Sequence, residues 1–194
     1  MTSRAGRAYL AVAVADTALA AGGFHRGRWL TKPLLMPLLT VGQDGRTRIA
    51  LGLCGAGDLA LLGTSPQAFT TGLGCFLAGH LAWVPAIRAR GGSRLLRRHP
   101  VASLPLVGAW AGLNVYLWGR TGRDRVPVLA YSTVLTGMAL VAVDSGTAAT
   151  ATGGALFVVS DALIALDRFG GLRLPCHEGW VMATYAAAQA LLSV

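Results

Sequence analysis

Apolar blocks of roughly 15 to 20 residues, split by short breaks rich in Arg or in Gly and Pro, run the length of this chain. A helix of that length spans the hydrocarbon of a bilayer, and inside lipid only a helix or a closed barrel satisfies its own backbone polar groups. The pattern predicts an all-α fold: a polytopic membrane helix bundle of about eight transmembrane helices, with residues 1–194 forming a single integral membrane domain. Spans are expected at 8–24, 32–43, 48–63, 67–88, 100–118, 126–143, 150–167 and 178–194. The second is short and holds Pro33 and Pro37, so a kinked or half-inserted segment is expected there. Composition agrees: 13% of residues are charged, where a soluble domain carries about 25%.

The formal net charge of +9 does not point to nucleic acid. The 17 basic residues lie almost wholly between the apolar blocks, as at Arg88–Arg98 and Arg120–Arg125, where they meet anionic headgroups and set topology. With the N-terminal face called side A and the opposite face side B, the Arg-dense loop after the fourth span places side A, and so the N-terminus, in the cytoplasm of a multi-pass cell-membrane protein. Arg4 and Arg7 ahead of the first block give it a signal-peptide look, but Asp16 interrupts its core, and a retained first helix is expected. Cys54, Cys75 and Cys176 make no disulfide framework, and no metal-ligand spacing occurs, so no metal is expected. Gly108-xxx-Gly112 and Gly74-xxx-Ala78 are spacings that allow close helix approach, read here as bundle packing.

Two carboxylates break the apolar runs: Asp58 within Ile49–Leu62, and Asp161 within Gly154–Leu166. Each costs about 2.5–3.5 kcal/mol on insertion scales. Leu or Ala would pack as well, so the pair points to chemistry. At a rise of 1.5 Å per residue both lie roughly 9 Å in from side B. The same count brings Asn114, Tyr131 and Tyr185 to that depth, with Asp16 slightly deeper and His80 deeper by some turns. A polar layer contributed by different helices is what a water-accessible cavity open to side B requires. Lys32 opens the second span from side B. It is read as an interface anchor, a cation for a lipid phosphate, or a partner that keeps one Asp ionised.

Two carboxyl groups sharing such a cavity can hold a single proton near neutral pH, leaving one acid and one base. That suits addition of water to a substrate held in the membrane, and it suits proton-coupled transport equally. The inverted repeats of many transporters are not evident. No nucleophile elbow and no phosphate-cradling glycine loop occurs, and Ser160 has no adjacent base.

In order along the chain stand Lys32-Pro33-Leu-Leu-Met, Gly57-Asp58, Phe69, Gly72, Phe76 and His80, then Tyr131 with Met138, Gly154 through Ser160-Asp161, and Tyr185-xxx-Gln189. Together they resemble the YhhN family of transmembrane lysoplasmalogenases over nearly the whole chain. One departure is Trp83, where the family pattern has a Tyr a few residues after the His. The resemblance implies an eight-helix ether hydrolase acting on the vinyl ether bond of lysoplasmalogens. Its products would be a fatty aldehyde and glycerophosphoethanolamine or glycerophosphocholine, formed without metal or organic cofactor, with membrane lysophospholipid and water as partners.

It also implies catalytic roles for Asp58 and Asp161. One of them, taken here as Asp161, protonates the β-carbon of the vinyl ether, while the other stabilises the oxocarbenium ion and orients water; the two roles are interchangeable at this stage. Lys32 would hold the phosphate, and His80, Asn114, Tyr131, Tyr185 and Gln189 would line the substrate and orient water. Hydrolysis of another lyso-ether lipid is the nearest alternative within the same chemistry.

Overall fold

The computed structural model describes residues 3–194, which are almost wholly helical and, among those described, without strands. The helices are α1 (Arg4–Ala21), α2 (His25–Thr40), α3 (Gly45–Ala60), α4 (Pro66–Ala89), the single turn α5 (Leu95–Arg98), α6 (Leu104–Leu117), α7 (Arg125–Asp144), α8 (Ala148–Gly170) and α9 (His177–Leu192). Four helical stretches are long and apolar enough to cross a membrane: Pro66–Ala89, Pro100–Leu117, Gly122–Asp144 and Ala148–Gly170. The chain is therefore a helical membrane protein. The remaining helices α1, α2, α3 and α9 have 16 to 18 residues, roughly 24–27 Å of axis. Of these, α1, α2 and α3 bury Asp16, Arg28, Lys32 and Asp58, which depresses their hydropathy.

Local signals set the helix ends. The Ser3 hydroxyl accepts from the Gly6 N–H at 3.1 Å to start α1, and Ser65 caps α4 ahead of Pro66 in the first turn. Gly171 closes α8 at φ 68°, the left-handed conformation that favours glycine. Asp44 caps α3: it accepts from the backbone of Arg46 and Thr47 and from the Thr47 hydroxyl at 2.6 Å. Those bonds, the Thr47 hydroxyl foremost, hold its carboxyl below the ordinary 3.8.

The second helix corrects the sequence reading. It is not a short segment at 32–43 but a continuous helix from His25 to Thr40 that runs through Pro33 and Pro37. Its first turns are polar, so hydropathy cuts them off. They fold because Arg28 finds Asp16 at 3.4 Å and Glu178 at 3.1 Å. The first helix likewise occupies Arg4–Ala21 rather than 8–24, ending at Gly22.

Successive helices pack in the order α1, α2, α3, α4, α7, α8, α9, and α9 returns to α1, closing a ring; α6 lies outside it against α7 and α8. Toward side A the ring is filled by Leu51, Trp83, Ile87, Met138 and Leu192, all essentially inaccessible. Close helix approach occurs at glycines other than those expected. A Cβ on Gly108, Gly112 or Gly74 would meet nothing within 4 Å, whereas one on Gly153 would lie 3.0 Å from the Leu192 N and one on Gly179 2.7 Å from the Ala21 Cβ. The small-xxx-small spacings thus face away from the ring, and tight crossings include α8 on α9 and α9 on α1, together with α4 on α3 at Gly79 and α8 on α7 at Gly154.

Candidate active site

The open, side B half of the ring encloses a cavity of about 670 Å³, within the range of small-molecule sites. Asp58 reaches it from α3 and Asp161 from α8, with Lys32, Asn114, Tyr131 and Tyr185 on the same wall. Six of the eight residues singled out from the sequence therefore share one cavity. The other two, His80 and Gln189, are fully buried and stand behind the wall.

Each carboxylate has its own set of partners. Asp58 Oδ1 lies 3.2 Å from the Lys32 Nζ, and Asp58 Oδ2 accepts from the Tyr185 hydroxyl at 2.6 Å. Gln189 Nε2 in turn donates to that hydroxyl at 3.2 Å, one helical turn further along α9. Both members of the ion pair are more than nine-tenths buried, so each neutralises what would otherwise be an isolated charge in low dielectric. The Lys32 ammonium is engaged by Asp58 rather than presented to the cavity mouth.

Asp161 is built differently. Its Oδ2 accepts from the Tyr131 hydroxyl at 2.5 Å and lies 3.7 Å from His80 Nε2. The same His80 nitrogen is 3.0 Å from the Tyr131 hydroxyl, so the three groups form one triangle. Its Oδ1 has no hydrogen-bond partner among the described residues, and the side chain keeps 15% of its surface open.

An aromatic series joins the two carboxylate sets. The Phe157 ring stands edge-on to His80 at 4.6 Å and to Tyr185 at 5.4 Å between centroids, and Phe76 meets Tyr185 at 5.8 Å. This series fixes the tyrosines by packing from behind the wall, and its Phe76 ring gives the cavity an apolar surface there. Asn114 bonds Ser132 and the Trp110 carbonyl, so its amide is oriented by α6 and α7 before any ligand arrives.

Asp16 does not belong to the site. It accepts from the Thr31 hydroxyl at 2.6 Å and pairs with Arg28, outside the cavity. The depth count could not separate it, because depth says nothing about which way a side chain faces. Sequence reasoning also passed over Phe157, Ser132 and Trp110. Ser132 carried a usable signal in its place beside Tyr131. Phe157 looks like any other apolar residue of its run.

The family model described as the YhhN family matches residues 27–194. Two curated relatives named Lysoplasmalogenase, from Mycobacterium bovis and Mycobacterium tuberculosis, are each 33% identical over 162 residues, covering 79% of this chain. The match takes in 61% of each relative, so the chain spans less than two thirds of their length. No solved structure matches.

Proposed function

The chain belongs to the YhhN family, and from that premise we infer that it is an intramembrane hydrolase that cleaves the vinyl ether of a lysoplasmalogen. The observation that carries this reading is the asymmetry of the two carboxylates around one cavity. Asp58 is held beside a buried ammonium 3.2 Å away, which gives its carboxylate a counter-ion. Asp161 is held by a phenol and an imidazole, with one oxygen free to carry a proton into the cavity.

The reaction then runs in balance. The proton on Asp161 Oδ1 passes to the β-carbon of the vinyl ether, and the positive charge develops on the α-carbon and the ether oxygen. The carboxylate of Asp58 faces that charge across the cavity and stabilises it electrostatically. Water adds to the α-carbon and returns a proton to the carboxylate pair. The hemiacetal collapses as the carboxylate pair takes the proton of its hydroxyl and gives one to the ether oxygen; the bond between the α-carbon and that oxygen breaks, releasing aldehyde and glycerophospho-alcohol. Tyr131 and His80 hold Asp161 and can exchange its proton, while Tyr185 and Gln189 hold Asp58. Lys32 serves as the counter-ion of Asp58, one of the roles open to it from the sequence.

Purified protein is incubated with lysoplasmenylethanolamine and released aldehyde is measured for wild type, Asp58→Asn and Asp161→Asn. General acid–base contributions run at about 10²–10⁴, and a loss of that size is expected in both variants. Wild-type release no greater than that of either variant would end the reading.

A further inference from the structure

The cavity carries a cation that the proposed chemistry leaves unused. Among the described residues its wall holds two basic side chains, Lys32 and Arg168. Lys32 is engaged by Asp58. Arg168 is exposed and has no carboxylate within ion-pairing reach among the described residues: the neighbouring acids Asp167 and Glu178 face Arg173 instead, at 3.9 and 3.8 Å. Its guanidinium carbon lies 3.6 Å from the centroid of the Phe69 ring of α4, so a cation–π contact holds the side chain in place before any anion binds.

Its position along α8 adds the second observation. Arg168 follows Asp161 by seven residues, two helical turns and roughly 10 Å along the axis, and a step of seven returns to nearly the same face. Both side chains are on the cavity wall. Asp161 stands deep in the bilayer half, and Arg168 stands in the last turn of α8, at the rim. The separation is comparable with the length of an extended glycerophosphate. Asp124, in the turn that leads into α7, is also exposed and on the wall at that end, and its carboxylate has no side-chain partner among the described residues.

The geometry points to a headgroup site at the cavity rim, in which Arg168 takes the phosphate and Asp124 the ammonium of a zwitterionic lysophospholipid; it rests on the lipid-hydrolase reading for its choice of ligand. Arginine suits the task because its planar fork matches a phosphate in two parallel hydrogen bonds. The site sets the depth at which the lipid stops: with the phosphate on Arg168, the first glycerol carbon and its ether lie inward, toward Asp161. It also assigns phosphate recognition to α8 rather than to Lys32.

The test is binding of probes that cannot be hydrolysed at a vinyl ether, in detergent micelles of fixed composition: palmitoyl lysophosphatidylethanolamine, palmitoyl lysophosphatidic acid, monopalmitoylglycerol and inorganic phosphate. Arg168→Gln is expected to weaken both phospholipids by about tenfold, the scale of one charge-assisted hydrogen bond, and to leave monopalmitoylglycerol unchanged. Asp124→Asn is expected to weaken the ethanolamine lipid and spare lysophosphatidic acid. Arg168→Lys, which keeps the charge and loses the fork, falls between wild type and Gln. Saturable binding of inorganic phosphate alone would mark a free-anion site rather than a headgroup site and would overturn the proposal. So would equal loss for monopalmitoylglycerol, which marks a structural role, or no loss for any probe. If Arg168→Gln does not fold, the Lys and Asp124 variants decide by the same differences. Because no probe is cleaved, failure of the hydrolase reading shows in the aldehyde assay and not here.

Discussion

Lys32 Nζ lies 3.2 Å from Asp58 Oδ1 with 8% and 2% of the two side chains exposed, so the carboxylate that interrupts α3 is half of a buried ion pair with α2. Removing one partner of such a pair leaves an uncompensated charge, which destabilises by about 3–5 kcal/mol. Lys32→Met should therefore lower unfolding stability in detergent by that order. Asp58→Asn introduced into the Lys32→Met background should restore most of it. Losses that simply add would show that the two side chains act independently.

The tyrosine hydroxyls are separable from their rings. Tyr131→Phe keeps the edge contact with His80, at 5.4 Å between centroids, and deletes the bond to Asp161. Asp161 becomes a carboxylate as it gives up its proton, and hydrogen bonds to charged groups contribute about 1.5–3 kcal/mol, so turnover for aldehyde release should fall roughly 10- to 100-fold. Tyr185→Phe should do the same through Asp58. Wild-type turnover in both variants would remove the hydroxyls from the mechanism.

Gly179 marks where α9 crosses α1. A Cβ there would come 2.7 Å from the Ala21 Cβ and 3.1 Å from its Cα, and backbone cannot step aside cheaply. Gly179→Ala should destabilise by about 1–3 kcal/mol, as overpacking does, and disturb the adjacent Glu178–Arg28 pair. Gly112→Ala on α6 meets open space and should be neutral or stabilising by up to about 1 kcal/mol, the helix-propensity gain. Thermal melts of the two variants side by side decide it.

The α3 cap gives a pH dependence. The Thr47 hydroxyl and backbone N–H hold the Asp44 carboxyl below its ordinary 3.8. A depressed folded-state value stabilises above the unfolded value and loses that contribution as pH falls through the folded one. Asp44→Ala should therefore melt below wild type at neutral pH, with the gap closing as pH drops under about 3.8. A gap that stays constant into acid would detach the cap from the carboxylate charge.

Much of the site was visible in the linear chain. Asp58 and Asp161 stand out because charge inside an apolar run is costly wherever the run goes. The shared depth with Tyr131, Tyr185 and Asn114 follows from helical rise alone, and these residues do meet one cavity. Asp16 passed the same depth count and lies elsewhere, because rise fixes height and not azimuth. Helix α2 was cut short because its first turns are polar, and their partner Glu178 lies 150 residues away.

Hydropathy and helical period are properties of neighbouring residues, so the all-helical membrane class and the two intramembrane carboxylates could be read from the chain. Which hydrogen-bond donor serves which carboxylate could not. Tyr185 and Asp58 are 127 residues apart, and they meet only because α9 returns to α1 and closes the ring. That closure depends on glycines such as Gly153 and Gly179 admitting a neighbouring helix. Pairing of this kind is a property of facing surfaces, and facing surfaces exist only once the helices have packed.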